Sequence, residues 1–306
     1  MLKLWGYKRS DVCSICGQEG CSLHHILSNC KTALKQQRYT WRHDSVLFYL
    51  QHFLCEHIRA HNTMKPKSLK PIPFVKLGGG NSKKRRPVGL SFSLLDSARD
   101  WELLVDLNRA KIVFPPEIYA TPERPDIIIF SRATHRVLLV ELTCPAEEGI
   151  EAARVYKEGR YAPLLAAINK NTESPWAASL LTIEAGARGF VAHSTHKFLR
   201  KVGVCPRSAR AVCKDISLIV ARCSYAIFLS RDAQNWDSKR ALLSLHSKWV
   251  AEENEQPAPP QQVLVPHDPA EDRIEKRIMR SRPSRSWNAI PPLEFYKEPP
   301  GKDITC

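Results

Sequence analysis

The apolar positions change period along the chain, and the changes divide it. Between Arg38 and His61, Val46, Leu47, Leu50, Phe53, Leu54 and Ile58 recur at helical spacing, which predicts one amphipathic helix. A similar spacing of Leu95, Ala98, Trp101, Leu104 and Leu107 predicts a second helix over Leu94 to Lys111, ended by Pro115-Pro116. The pattern then becomes nearly continuous and rich in β-branched residues. Ile127–Ser131 and Arg136–Thr143 read as central strands buried on both faces. After Pro145 a helix with an acidic first turn should run to Ile168, as the helix dipole favours. A strand at Leu180–Glu184, halted by Gly186-Ala187-Arg188-Gly189, and helices at His193–Val202 and Ser208–Phe228 complete the pattern. The fold class expected is α/β, a mixed sheet flanked by helices.

Polar and proline-rich stretches set the boundaries. Residues 1–61 hold a cysteine cluster and the first helix, 62–93 a basic linker with a triple-glycine break, and 94–250 the mixed sheet. Residues 251–306 carry ten of the 22 prolines and are expected to be a disordered tail. There is no recognisable secretory signal, and no apolar run near the roughly 20 residues of a membrane helix, so no membrane partner is expected.

Charge narrows the partner. Lys and Arg number 46 against 31 Asp and Glu, a formal +15, and such a surplus favours a polyanion, here nucleic acid. Lys83-Lys84-Arg85-Arg86 is a phosphate patch or an import signal, the latter implying the nucleus. Arg38, Arg42 and His43, in the run RYTWRHD, are further candidates for a nucleic-acid face, with helix-surface charges as the plain alternative.

The cysteines suggest metal. Cys13-x2-Cys16, then His25 and Cys30, form C-x2-C-x8-H-x4-C, three thiolates and one imidazole suited to a closed structural Zn2+ site. His24 is the alternative imidazole, and Cys21 competes for a ligand place.

The two central strands carry two acids. If the chain reverses around Ala133-Thr134, cross-strand partners have numbers summing to 267, which sets Asp126 directly opposite Glu141 on one face of the hairpin. Two carboxylates so placed repel unless they share a divalent cation, and Mg2+ is commonly held by one or two carboxylates. That combination suits hydrolysis of a phosphodiester. The plain alternative is a salt bridge from Asp126 to Arg124 or Arg188. A cation is wanted near the attacking water, and Glu141-Leu142-Thr143 offers none. Lys157, with Tyr161 one turn on, supplies the candidate, flanked by Arg154 and Arg160. Asp96, Glu102 and above all Asp106 are possible third acids, and Arg188 in its glycine-flanked turn is a candidate phosphate contact.

Taken together, the zinc cluster, the RYTWRHD helix, Arg124-Pro125-Asp126, a gap of fourteen and Glu141-Leu142-Thr143 resemble the C-terminal part of site-specific non-LTR retrotransposon polyproteins, over roughly Trp5 to Trp236. There a CCHC knuckle precedes a restriction-like endonuclease of the PD-(D/E)XK type, often with its lysine moved to the next helix. The resemblance implies a Mg2+-dependent endonuclease that nicks DNA, with Asp126, Glu141, Lys157 and Tyr161 at its centre. It also implies DNA as partner, with RNA a second candidate. The sequence departs from the family in showing no reverse transcriptase motif, which suggests a fragment or a host-retained remnant; a catalytically silent nucleic-acid-binding protein is the alternative function.

Overall fold

A computed structural model describes residues 12–64, 93–107 and 112–241, and those up to Ser238 belong to one compact unit. The Lys83–Arg86 run, most of the linker and the proline-rich tail lie outside the described residues.

Four strands form one mixed sheet in the order β1-β2-β3-β4: β1 (Trp101–Val105), β2 (Ile127–Ser131), β3 (Arg136–Thr143) and β4 (Ala177–Glu184). The first three are antiparallel neighbours, while β4 runs parallel to β3 after a helical crossover. The expected mixed α/β architecture is therefore what forms. The β2–β3 register pairs Ile127 with Val140 and Ile128 with Leu139, which is the expected sum of 267. Both strands are apolar throughout because helices cover both faces.

The helix predicted over Leu94–Lys111 is a correction. A 3-10 turn at Leu95–Ser97 leads instead into β1, whose burial alternates. Trp101, Leu103 and Val105 face one core and Leu104 the other. Leu95, Ala98, Trp101 and Leu104 satisfy a helical spacing, but Trp101 to Val105 equally satisfies a strand, and pairing along β2 decides between them.

The helices are α1 (Lys31–Lys35), α2 (Arg38–Thr63), α3 (Ile150–Lys170), α4 (His193–Lys201) and α5 (Pro206–Leu229). One face of the sheet, with Ile127, Ile129, Leu138, Val140 and Ile183, packs with Leu47, Leu50, Leu54 and Ile58 of α2 and with α4 and α5. The other, with Ile128, Phe130, Val137 and Leu139, packs on Tyr161, Leu164 and Ile168 of α3. Helix α2 thus shares the main core of the sheet. No helix among the described residues is long and apolar enough to cross a membrane.

Candidate functional site

The cysteine cluster closes as expected. One ligand atom each from Cys13, Cys16, His25 and Cys30 lies within 4.8 Å of the others, and Sγ of Cys16 is 3.3 Å from Nε2 of His25. Bonds of about 2.3 Å to a tetrahedral Zn2+ set sulfurs about 3.8 Å apart, so a group gathered within 4.8 Å could hold such an ion. His25, on a π-helical turn at His25–Asn29, is buried, whereas His24 is exposed and Cys21 is outside the cluster. Burial raises the Cys13 thiol, but the backbone amides of Ile15 and Cys16 and the side chains of Cys16 and His25 together bring the group down to about 6. Cys16 moves the other way, up to about 11, through burial and the neighbouring Cys13 and Cys30 thiols, so a positive ion at the centre would relieve the crowding of the sulfurs.

The cluster is stitched to the rest of the unit. Tyr39 Oη donates to the Ile26 carbonyl at 2.9 Å and accepts from the Cys30 amide at 3.1 Å. Arg42 donates to the carbonyls of Leu27 at 3.0 Å and Cys144 at 2.9 Å, and to Ser224 Oγ at 3.0 Å. Arg38 donates to the carbonyls of Ser230 and Ala233, both at 2.7 Å. Both guanidiniums are 1% exposed. Their place on a nucleic-acid face is a second correction: both side chains are buried, and their terminal guanidinium nitrogens already donate to acceptors within the protein.

At the sheet end, one step beyond Ile127–Val140, Asp126 and Glu141 meet. The Asp126 amide donates to Glu141 Oε1 at 3.2 Å, and the Leu142 amide donates to Asp126 Oδ2 at 2.8 Å. Neither acid pairs with the arginines considered from sequence. Arg124 binds Asp106 at 2.5 Å, and Arg188 binds Glu147 at 2.7 Å and Glu148 at 2.8 Å. Helix α3 supplies Lys157, whose Nζ forms a salt bridge with Glu141 Oε2, and Tyr161, whose hydroxyl donates to the Arg124 carbonyl at 3.1 Å. Arg160 on the same helix pairs with Glu123 at 2.9 Å and lies over the Tyr161 ring.

His43 enters this group from α2. Its Nε2 is 3.1 Å from the Leu142 carbonyl and 3.5 Å from Asp126 Oδ2, and its Nδ1 is 3.0 Å from Asp44 Oδ1. Acceptors surround both ring nitrogens, so both donate and the ring is an imidazolium. Burial opposes that charge, but Asp126 and Asp44 outweigh it and lift the group to about 10. His43 is thus a member of the carboxylate site, a role its place in a basic run did not reveal.

The two acids diverge. Burial raises both, yet His43, Lys157 and the Leu142 amide together bring Asp126 below the usual carboxylate range. Burial and then the charge of Asp126 push Glu141 up, with Lys157 opposing. Paired carboxylates separated in this way are an arrangement found at functional sites.

Of the remaining acids, Asp96 caps Ser93 and Glu102 pairs with Arg132, both away from the site. Asp106 is closer: its amide donates to the Asp126 carbonyl at 2.9 Å while its carboxylate holds Arg124. Arg188 braces the start of α3, and Gly186 beside it leaves room for Glu147, which a Cβ would meet at 2.6 Å.

Among known proteins, no family model matches the chain and no curated sequence matches it.

Proposed function

We propose that the chain is a metal-dependent DNA endonuclease of restriction-like type, derived from a non-LTR retrotransposon and working in the nucleus. The observation that supports this most is the meeting of Asp126 and Glu141 at one sheet end, with Lys157 and Tyr161 brought over them by the next helix. The donor chemistry fits Mg2+: two converging carboxylates, one raised partly by the charge of the other, are what a hard divalent cation relieves. Asp126 and Glu141 would hold it, and its chemistry would be to acidify a bound water and neutralise charge on the phosphate.

The residues have separable tasks. Lys157 opposes the upward push on Glu141 and stands where it could orient the attacking water. Tyr161 fixes the Arg124 carbonyl, and so the turn into Asp126. His43 holds Asp126 from the opposite side. The basic surplus supplies attraction for the DNA backbone.

Nicking of supercoiled plasmid in Mg2+ or Mn2+ tests the reading. Wild type should nick and Asp126→Ala should not; equal behaviour of the two, with DNA binding kept by both, sinks it. A silent nucleic-acid-binding protein is the second reading, and one observation favours it. Asp126 and Glu141 each already face a cation, His43 and Lys157, so protein groups alone offset much of their charge.

A further inference from the structure

Each of the four strands brings an acid to the same end and face of the sheet. Asp106 lies one step beyond the Val105–Ile127 pair, opposite Asp126; Asp126 lies opposite Glu141; and Glu184 on β4 is the register partner of Thr143, two residues past Glu141. Residues directly paired share a face, as do residues two apart on one strand. Three of the four acids have a cation: Arg124 for Asp106, His43 for Asp126 and Lys157 for Glu141. For Glu184 no salt-bridge partner exists among the described residues. Arg154 on α3 feels the charge of Glu184 but spends its hydrogen bonds on Glu151 and Glu158.

Glu184 is nevertheless 1% exposed. One carboxylate oxygen accepts from Ser194 Oγ on the first turn of α4, and the other, Oε1, is buried without a hydrogen-bond partner. Its register partner Thr143 likewise has a buried Oγ1 with none, so two unsatisfied oxygens lie on neighbouring strands and share a face without bonding each other. A buried carboxylate oxygen without a donor is costly, and a water molecule would fill the gap without adding any positive charge. A hard divalent cation answers both needs, since it takes carboxylate and hydroxyl oxygens and brings charge.

Strand geometry places the Cα atoms of Glu141 and Glu184 roughly 8 Å apart, one strand over and two residues along. Two glutamate side chains span that gap easily, and paired ions in phosphodiester-cleaving sites sit about 4 Å from each other. We propose that Glu184 and Thr143 form a second divalent-cation subsite, beside the one assigned to Asp126 and Glu141. Resting on the nuclease reading, this subsite would serve the leaving oxygen of the scissile phosphate. Thr143 then occupies, with an oxygen ligand, the place where the family pattern has its lysine.

The test is Mn2+ binding to the zinc-loaded full chain, read from the paramagnetic resonance of free Mn2+, alongside plasmid nicking. Wild type should bind two Mn2+, Glu184→Gln one, and Asp126→Asn one. Thr143→Val should weaken the second ion by about tenfold at unchanged thermal stability. Equal stoichiometry for wild type and Glu184→Gln overturns the subsite. If Glu184→Gln fails to fold, Thr143→Val decides, and an unchanged second affinity overturns it. Loss of one ion in Glu184→Gln together with wild-type nicking by Asp126→Asn would leave the subsite standing and remove the assigned nuclease centre. Retention of both ions by Glu184→Gln, with nicking lost in Asp126→Asn, does the reverse.

Discussion

Nε2 of His43, on the helix that follows the cysteine cluster, lies 3.5 Å from Oδ2 of Asp126 at the sheet end. Eighty-three residues of sequence separate the two, and the ring is charged because acceptors face both its nitrogens. A group raised from 6.5 to about 10 on folding contributes stability that is complete below about 6.5 and is lost as pH rises through about 10. The thermal midpoint of zinc-loaded protein should therefore fall from pH 7 to pH 10. Subtracting the curve of His43→Asn, which cannot titrate, should remove most of that fall. Parallel curves for the two proteins would show that the imidazolium does not hold Asp126.

Half-buried Lys157 pairs with fully buried Glu141, and removing the lysine leaves the glutamate without its cation. Glu141 is 1% exposed, so Lys157→Met should cost about 3 kcal/mol in urea unfolding. The double variant Lys157→Met, Glu141→Gln should recover most of the loss, since no charge is then stranded. Both variants should be inactive in nicking, which separates the stability of the pair from its chemistry. Equal destabilisation of single and double variants would disprove the coupling.

The legible and illegible parts of this fold differ in the kind of information they need. The β2–β3 hairpin was readable because period, turn and register are all local, and a sum of residue numbers sufficed to pair Asp126 with Glu141. The cluster of Cys13, Cys16, His25 and Cys30 was readable for the same reason. Strand β1 was not, because Leu95, Ala98, Trp101 and Leu104 fit a helical period and only the neighbouring strand breaks the tie. Arg38, Arg42 and His43 stand within six residues, and only packing distinguishes two buried clamps from a site residue. A hint existed in α2, where Arg38 and Arg42 are a turn apart and fall near the apolar stripe rather than opposite it.

Zinc should govern more than its own loop. The cluster holds Ile26 and Leu27, which pack with Ala187 and Ile227, and its Cys30 amide is tied to Tyr39 at the start of α2. Chelation, or Cys30→Ser, should release one zinc per chain and lower the thermal midpoint of the whole unit. Trp41 and Trp236, edge to face at 5.3 Å beside the cluster, should report it as a fluorescence change. Nicking should fall in parallel, because α2 carries His43. Full zinc loss with unchanged melting and unchanged fluorescence would mean that the module folds without its metal.

Arg42 separates a structural arginine from a DNA contact. It joins the zinc loop, through the Leu27 carbonyl, to α5 at Ser224 and to the Cys144 carbonyl, three residues beyond Glu141. Arg42→Lys keeps the charge but supplies one ammonium for three acceptors held by a planar fork, so it should destabilise by about 2 kcal/mol. A phosphate contact would behave differently: its loss would reduce the salt dependence of DNA binding by about one ion. For folded Arg42→Lys and Arg42→Ala the plot of log affinity against log salt should keep the wild-type slope, while unfolding shifts to lower urea. A shallower slope in Arg42→Ala, with stability intact, would return this arginine to the nucleic-acid face.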